Sequence, residues 1–407
     1  MDKQLKKSNT PRINDLKLSV LLEITKAINS NLSTEELLKK FEVFLRSQLN
    51  IEKLALYSND SGWKCILNYG FNDEIEVIHV EKDLLSLKEI TSVVASNNPH
   101  FKPFDLIVPV FHKSQPLAYL LIGDIFEAEI ALSPTIKHLP FIQTLTNIII
   151  VAIENKRLAK EKIRQEGVKK ELELASQMQA LLFPSQLPKD DKLDIAAFYQ
   201  PHQEVGGDYY DFIRLNDNEV AFCMADVSGK GVSAALLMSN FQANLRALFN
   251  KTISLTELIK ELNTKVMSNA KGEKFITLFI AKYNLLTRVL SYINAGHNPP
   301  LLAFGNNISM LKIGCTGLGI FDELPDVKEG LENIAPNSTL VCYTDGVVEL
   351  ENEASEDFGT DNLKKILKEN PLKGMEELNN IISEKLIVHK GNMPYFDDIA
   401  LLSCRLY

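Results

Sequence analysis

Acidic residues recur at the ends of apolar runs in the second half of the sequence. The positions concerned are Asp208, Asp226, Asp345 and the adjacent pair Asp397 and Asp398. Carboxylates gathered at strand ends would repel one another unless cations lay among them. Hard oxygen ligands of this kind suit Mg²⁺ or Mn²⁺ better than Zn²⁺. The pattern therefore predicts a metal site, although any one acid beside a glycine is also an ordinary turn residue.

Among these acids, Asp226 has the most informative surroundings. Residues 220–225 form an apolar run that predicts a buried strand, and residues 232–248 carry small and apolar side chains at the spacing of a helix. The connection that follows Asp226 contains the glycine-rich stretch Gly229-Lys230-Gly231. We therefore expect Asp226 where a strand ends and just before a helix begins.

Length and composition predict a globular protein of two or three domains, since 407 residues with 45% hydrophobic content can bury sizeable cores. The net charge of -9 argues against a general nucleic-acid binder. Residues 1–18 are polar and lack the apolar segment of a secretory signal. The apolar run at residues 148–153 is far shorter than the roughly 20 residues of a membrane span. We therefore expect a cytoplasmic protein with no membrane segment and no nucleic-acid partner.

The five cysteines are far apart in the sequence and include no Cys-x-x-Cys pair. Neither a zinc knuckle nor a disulfide framework is predicted. Most of the cysteines lie inside apolar runs, so we expect buried, reduced thiols, including Cys65 in a strand with Trp63.

The first half of the chain predicts a small α/β domain behind a flexible polar tail at residues 1–15. A helix from residue 16 to residue 29 is followed by Ser33, a predicted N-cap for a second helix that ends near residue 49. Two hairpins are predicted next, with their strands at residues 53–58, 63–69, 106–110 and 117–122. A further helix leaves the domain from about residue 140.

This order of elements over residues 16–150 resembles the GAF domain, a small-ligand sensor and dimerisation module of signalling proteins. A PAS-like fold is the alternative. The resemblance implies an N-terminal sensor domain that takes an unidentified small ligand or partner.

Residues 151–187 predict a helical linker. Apolar residues recur there at heptad-like spacing, at Val151, Leu158, Val168, Leu172, Ala175 and Leu182. Polar residues such as Gln179 interrupt this seam, so a coiled-coil-like contact and a single solvated helix both fit it. Pro184 and Pro188 end the helix. We expect a homodimer formed through the first domain and this linker.

Several motifs in residues 172–407 share their order with one enzyme family. They are Leu181-Leu182-Phe183-Pro184, Gly206-Gly207-Asp208-Tyr209-Tyr210-Asp211, Asp226-Val227-Ser228-Gly229-Lys230-Gly231, Asn294-Ala295-Gly296-His297-Asn298-Pro299-Pro300, Tyr343-Thr344-Asp345-Gly346 and Asp397-Asp398. Together they resemble the metal-dependent PPM serine/threonine phosphatases, and the lead-in that ends at Pro184 resembles the SpoIIE/RsbU branch. The resemblance implies an α+β chain in which residues 188–407 form an α-β-β-α sandwich with a two-metal centre at one end.

The same resemblance implies roles for the acids. Asp226 would bridge two divalent ions, Mn²⁺ or Mg²⁺, with the Val227 carbonyl as a neighbouring ligand. Asp208 would hold one ion, while Asp345 and Asp397 would hold the other. Asp208 and Asp226 are thereby the predicted catalytic residues. A two-metal clamp suits a reaction as slow as phosphate-monoester hydrolysis, because it deprotonates water near neutral pH and neutralises the phosphoryl oxygens.

Some positions stay open at this stage. Asp398 is the alternative to Asp397, because sequence does not decide which of two adjacent acids points inward. Ser228 stands where eukaryotic members carry a histidine that is proposed as general acid, so leaving-group protonation is unassigned. His297 is a candidate substitute, although a role in bracing a strand end is favoured. Lys230 is a candidate contact for the substrate phosphate, or a solvent-facing lysine on a turn.

These features predict a sensor-regulated protein serine/threonine phosphatase that hydrolyses phosphoserine or phosphothreonine on a regulatory protein. The resemblance points to an anti-anti-sigma-type regulator as that substrate. The alternative is a catalytically silent phosphatase-like scaffold, which the complete set of acids disfavours. A third hypothesis is a cyclic-nucleotide-binding regulator, which requires nucleotide bound to residues 1–155.

Overall fold

The computed structural model describes residues 10–59, 62–71, 78–93, 99–112, 114–123, 138–249 and 253–407. The chain divides into two compact units, Met1–Glu166 and Gly167–Tyr407. The division falls within the segment predicted as a linker. None of the helices in the described residues combines the length and the hydrophobicity that crossing a membrane requires.

The predicted helices and strands of the first half are present in the predicted order, with one short α-helix and one short strand between them that were not predicted. In chain order, the elements are α1 (Thr10–Asn29), α2 (Thr34–Leu49), β1 (Lys53–Asn59), β2 (Trp63–Tyr69), α3 (Val80–Asp83), β3 (Thr91–Ser92), β4 (Leu106–His112), β5 (Gln115–Gly123) and α4 (Leu139–Ala180). Helix α4 is continuous from the predicted exit helix into the predicted linker. It continues past Glu166 into the C-terminal unit.

The start of α2 confirms the predicted N-cap. The Ser33 hydroxyl accepts from the Glu36 amide at 3.1 Å, and the Ser33 amide donates to the Glu36 carboxylate at 2.8 Å. This reciprocal pair satisfies two amides that have no partner inside the helix. The predicted tail was too long, because α1 begins at Thr10 rather than residue 16. Pro11 is compatible with the first helical turn, where backbone amides have no helical acceptor. Residues 1–9 of the predicted tail lie outside the described part.

The described strands of this unit form one antiparallel sheet in the order β2-β1-β5-β4-β3, and the strands of both predicted hairpins are paired. Residues 60, 61 and 113 of the predicted turns lie outside the described part. Alternate residues of the central strands face opposite sides. Leu54 and Leu120 pack with residues of α1, α2 and α4, whereas Ala55 and Leu121 pack with α3. Cys65 was wrongly predicted as buried, since it lies exposed on edge strand β2.

The C-terminal unit contains the remaining elements of the described chain. They are β6 (Leu193–Gln200), β7 (Tyr209–Arg214), β8 (Glu219–Val227), α5 (Val232–Leu248), α6 (Leu255–Ala270), β9 (Ile276–Asn284), β10 (Val289–Ala295), β11 (Leu301–Phe304), β12 (Asn307–Met310), β13 (Gly314–Cys315), β14 (Gly330–Asn333), β15 (Ser338–Tyr343), α7 (Asp345–Val348), α8 (Gly359–Glu369), α9 (Met375–Lys390) and β16 (Ile399–Leu406).

The described strands of this unit form two sheets that pack face to face. One has the order β13-β10-β9-β8-β7, with β14 paired to β10, and the other has the order β12-β11-β15-β16-β6. Phe222 and Met224 of β8 share a core with Cys342 and Leu402 of the second sheet. Helices α5 and α6 cover the outer face of the first sheet, and α8 and α9 cover that of the second. This is the predicted α-β-β-α sandwich.

A buried ion pair joins helix α5 to the sheet. Asp211 on β7 is fully buried, and its two carboxylate oxygens each accept from the Arg246 guanidinium at 2.8 Å. The Tyr209 hydroxyl also donates to this carboxylate. Because an uncompensated buried carboxylate is costly, the pair holds α5 in one position against β7.

Candidate metal centre

Four of the predicted acids lie at the same end of the two sheets. Asp208 directly precedes β7, whose Tyr209 pairs with Ala225 of β8, the neighbour of Asp226. Asp345 follows β15, and Asp398 directly precedes β16; those two strands are paired, with Tyr343 opposite Leu401. Each sheet therefore contributes acids from two adjacent strands. The strand ends, which the apolar runs had predicted, bring them together.

The Asp398 carboxylate connects the two sheets. It accepts from the Gly207 amide at 2.6 Å and from the His202 amide at 2.8 Å. A Cβ atom on Gly206 would overlap this carboxylate and the Tyr199 hydroxyl. The close approach of Asp398 thus requires a glycine at position 206, and both Asp398 oxygens are engaged by backbone amides.

The Val227 carbonyl, at the end of β8, lies beside Gly207 of this loop. Its oxygen is 3.0 Å from the position that a Cβ atom would take on Gly207. Asp226 is the neighbouring residue in β8, and Asp208 is the neighbour of Gly207. A backbone carbonyl oxygen that could bind a metal ion therefore belongs to the same strand ends as Asp208 and Asp226, the two acids predicted to be catalytic.

Burial makes these acids electrostatically unfavourable without a cation. Asp208 is 2% exposed, and its Oδ2 atom has no hydrogen-bonding partner among the described residues. Burial, followed by repulsion from Asp226, raises the pKa of Asp208 well above its ordinary value. Burial and repulsion from Asp345 and Asp397 raise the pKa of Asp226 to about 7. Burial and the charge of Asp397 likewise raise the pKa of Asp345.

The donor set fits divalent ions with a preference for hard oxygen ligands. It consists of carboxylates and a backbone carbonyl, which suit Mg²⁺ and Mn²⁺, and it includes a buried oxygen that has no other partner. Within the described residues, however, no three acidic, imidazole or thiol side chains already converge at the spacing of metal ligands. The Asp397 Oδ2 atom pairs with the Lys230 ammonium at 2.8 Å.

Comparison with known proteins agrees with this geometry. Residues 216–407 match the family model described as Stage II sporulation protein E (SpoIIE). The phosphoserine phosphatase RsbU of Bacillus subtilis is 29% identical over 243 residues, which cover 59% of this chain and 71% of that protein. These matches support a SpoIIE-type phosphatase domain of the RsbU branch in the C-terminal unit. The resemblance predicted from the motifs is thereby confirmed, and the chain is a protein serine/threonine phosphatase.

Other relatives extend the comparison of this SpoIIE-type unit. Protein IcfG of Synechocystis is 30% identical over 268 residues, which cover 59% of this chain but 42% of IcfG. The SiaA-PP2C domain of Pseudomonas aeruginosa superposes with a TM-score of 0.54 at 20% identity, covering 60% of this chain and 99% of that domain. At that identity the likeness shows a shared PP2C-type fold. Phosphatases of this kind are metal-dependent.

In the SpoIIE-type unit, Ser228 braces the turn that follows Asp226. Its amide donates to the Phe275 carbonyl at 3.0 Å, and its hydroxyl accepts from the Phe275 amide at 2.9 Å. The Lys274 ammonium donates to the Ser228 carbonyl at 3.1 Å. Gly229 has φ +88°, a conformation that glycine adopts without strain. The residue that replaces the histidine of eukaryotic members is therefore structural.

His297 also has a structural position. It is 5% exposed; its amide donates to the Asn294 side chain at 2.8 Å, and its Nδ1 atom lies 2.9 Å from the Thr277 hydroxyl. Thr277 pairs with Asp226 across β8 and β9. Burial lowers the pKa of His297 to about 4, an effect that the Tyr343 backbone opposes only in part. A neutral, buried imidazole that braces strand ends fits the role favoured from sequence.

The role of Gln179 was not predicted from the sequence, where this residue only interrupts the apolar seam of the linker. Gln179 is buried, and its side-chain amide donates to the Gly206 carbonyl at 2.7 Å and accepts from the Gly206 amide at 3.2 Å. The Phe183 ring lies 4.9 Å from the rings of both Tyr199 and Tyr210. The end of α4 and the segment after it thus support the glycine loop that precedes Asp208. The lead-in motif was the available signal.

We predict that the buried His297 stays neutral at neutral and mildly acidic pH. Its folded pKa of about 4 lies below the ordinary 6.5, so the unfolded chain takes up this proton first as the pH falls. The stability contributed by the neutral imidazole is complete above the unfolded pKa and is lost as the pH falls towards about 4. In ¹³C-labelled protein, one histidine resonance should not titrate between about pH 8 and 5.5 and should be missing in His297→Gln. Titration of that resonance near neutrality would contradict the prediction.

Proposed function

We propose that the C-terminal unit hydrolyses phosphoserine or phosphothreonine on a protein with two Mg²⁺ or Mn²⁺ ions. The observation that carries this proposal is the buried Asp208, which has an oxygen without a partner and a pKa raised by burial and by Asp226. Such a group is stabilised when a cation binds it. The family and the printed activity of the RsbU relative, a phosphoserine phosphatase, support the same reaction class.

Each ligand can be assigned a role. Asp226 would be a ligand shared by both ions, Asp208 and the Val227 carbonyl would hold one of them, and Asp345 and Asp397 would hold the other. When bound, the ions activate a water as the nucleophile and neutralise charge on the phosphoryl oxygens. Asp397 is preferred to Asp398, because both oxygens of Asp398 accept from amides of the loop before Asp208. The Asp397 carboxylate accepts only from the adjacent Asp398 amide and from the half-exposed Lys230 ammonium among the described contacts. Asp398 instead holds the glycine loop that carries Asp208.

A cysteine nucleophile is a poor alternative to metal-activated water in this unit. Cys223, Cys342 and Cys404 are buried in the sandwich, and burial raises the pKa of each thiol. The thiolate is the reactive form of cysteine, and burial disfavours it.

A first experiment compares acid variants of the full chain with para-nitrophenyl phosphate and a phosphoserine peptide, with Mn²⁺ and with chelator. Asp226→Asn should reduce turnover to background, and it should not destabilise the metal-free protein because it relieves repulsion. Asp397→Asn should weaken Mn²⁺ binding without unfolding, whereas Asp398→Asn should lower stability by about 2 kcal/mol through lost charge-assisted hydrogen bonds.

The matched control is Asp361→Asn, whose side chain is 96% exposed. Absence of Mn²⁺-dependent turnover in the folded wild type, on both substrates, would favour the silent scaffold. A larger loss of Mn²⁺ affinity in Asp398→Asn than in Asp397→Asn would reverse the assignment of the ligand.

An apolar rim beside the centre supports a folded protein as the substrate. We define the rim as Phe275, Ile320 and Phe321, which are 41%, 46% and 50% exposed. The Phe275 and Ile320 side chains converge on Gly317, at 3.8 Å and 3.2 Å from its Cβ position. Phe275 is bonded to Ser228 through its backbone, and Thr277, two residues further on, pairs with Asp226.

The loop that carries the rim is rigidly attached. Asn263 on α6 is 2% exposed; its side chain accepts from the Gly319 amide at 2.9 Å and donates to the Phe321 and Asp322 carbonyls at 2.9 and 3.1 Å. A buried amide thus holds large apolar side chains in contact with water. Fixed apolar groups next to a reaction centre are typical of protein docking sites. The occupant we propose is a phosphorylated anti-anti-sigma-type regulator.

Ile320→Ser/Phe321→Ser should lower kcat/KM for a phosphorylated anti-anti-sigma-type protein by about tenfold or more and leave para-nitrophenyl phosphate turnover unchanged, because only the protein reaches the rim. Leu372→Ser is the control, since Leu372 is 92% exposed elsewhere on the unit. Equal losses on both substrates would indicate damage to the centre rather than lost docking.

The N-terminal unit is proposed to regulate the phosphatase. The N-terminal unit acts as a GAF-like sensor for an unidentified small ligand or partner, and the support is its antiparallel sheet with α1, α2 and α4 on one face. Helix α4 begins in that unit and ends at the Gln179 clamp on Gly206. A change in the last turn of α4 would therefore alter the loop that carries Asp208.

Homodimerisation is proposed through the same helix. Leu174 and Met178 in the last turns of α4, and Leu181 just after the helix, are 59%, 61% and 77% exposed and recur at i, i+4 and i+7. They form an apolar stripe that the described residues leave uncovered. A parallel second copy of the helix would bury this stripe while Gln179, on another face, stays on Gly206.

Gln179→Ala should weaken Mn²⁺-dependent turnover of the full chain about tenfold, because the Gly206 amide and carbonyl lose their partners. Gln165→Ala, which changes an exposed glutamine on the same helix, is the control. Wild-type turnover in Gln179→Ala would remove the clamp from the mechanism.

Sedimentation should give a dimer for the wild type and a monomer for Leu174→Glu/Met178→Glu. A monomeric wild type at micromolar concentration would refute the dimer.

A further inference from the structure

Lys230 places a positive charge among the acids of the metal centre. Its ammonium lies 2.8 Å from Asp397 Oδ2 and donates to the Phe396 carbonyl. It is also near enough to Asp345 to oppose the rise in the pKa of that acid. The lysine sits on the turn that follows Asp226, between Gly229 and Gly231, both of which have positive φ.

This contact differs from an ordinary surface ion pair. Lys230 and Asp397 are 46% and 41% exposed, and a pair of that exposure contributes little by its own attraction. Asp397, however, also repels Asp226 and Asp345. An ammonium on Asp397 therefore offsets repulsion that involves several carboxylates.

The same contact opposes metal binding. A divalent ion binds a carboxylate oxygen at about 2.1 Å, and an ammonium held at hydrogen-bonding distance from that oxygen would repel the ion. The Asp397 carboxylate can therefore form a strong ion pair with Lys230 or bind the metal ion strongly, but it cannot do both at once. Lys230 must move away from Asp397 for the proposed ligand set to close.

We propose that Lys230 is an internal counter-ion that neutralises Asp397 in the metal-free protein and competes with the metal for this carboxylate. Lys230 thereby lowers the metal affinity of the centre and stabilises the fold when the metal is absent. The inference rests on the metal centre assigned under the proposed function. It concerns a positioning residue that acts through Asp397.

The test uses the full chain with Lys230→Met, which keeps the length of the side chain and removes its charge, and Lys230→Arg, which keeps the charge. Lys274→Met is the matched control, because Lys274 lies beside the same turn but donates to the Ser228 carbonyl. Two quantities are measured for each protein: thermal unfolding in chelator, and Mn²⁺ binding by calorimetry in the absence of substrate. If the protein unfolds in more than one step, the step compared is the one whose midpoint temperature Mn²⁺ raises in the wild type.

Lys230→Met should bind Mn²⁺ about threefold to tenfold more tightly than the wild type and should unfold at a lower temperature in chelator. Lys230→Arg should resemble the wild type. Lys274→Met should not combine tighter Mn²⁺ binding with a lower unfolding temperature in chelator. Unchanged or weaker Mn²⁺ binding by Lys230→Met, or the same pair of changes in Lys274→Met, would overturn this inference and leave the proposed metal centre unaffected. If the folded wild type binds no Mn²⁺, the proposed metal centre fails and the inference fails with it.

Discussion

Mutual repulsion among buried carboxylates is the constraint on which the C-terminal unit depends. Two packed sheets bring Asp208, Asp226 and Asp345 to one end, where burial removes the solvent that would screen them. The pKa of Asp226 is raised to about 7 as a result. Such an arrangement is unfavourable for folding alone and favourable for binding cations. The fold thus keeps Asp208, Asp226 and Asp345 together largely by interactions of the segments next to them.

Those supporting interactions are mostly hydrogen bonds to the backbone. Asp398 accepts from two amides of the loop that carries Asp208, and Gln179 bonds both polar groups of Gly206. Ser228 similarly fixes the turn after Asp226 to the residue before β9. Each brace positions a segment next to an acid, so the carboxylates can be rigidly held while their oxygens stay available to a metal.

The brace at Gln179 lies on the longest helix of the described chain, which begins in the N-terminal unit. A signal that changes the end of α4 would act on the Gly206 loop without a change in the sandwich core. The proposed counter-ion role of Lys230 concerns the opposite side of the ligand set, at Asp397. The proposed metal ligands would therefore be controlled at two places. Gln179 acts on Asp208 through the backbone of the Gly206 loop, and Lys230 acts on Asp397 through its charge.

Much of this protein follows from local sequence. The strands, the second helix with its capping box and the acids at strand ends are set by periodicity and by residues close in the chain, which is why they were predictable. Contacts between distant segments decided the rest. Asp397 and Asp398 are equivalent in sequence, and only the paired strands direct one to backbone amides and the other to Lys230. Gln179 looked like a defect in an apolar seam, because its partner Gly206 is 27 residues away. Burial of Cys65 was likewise predicted from its strand alone, whereas its place on an edge strand leaves it exposed.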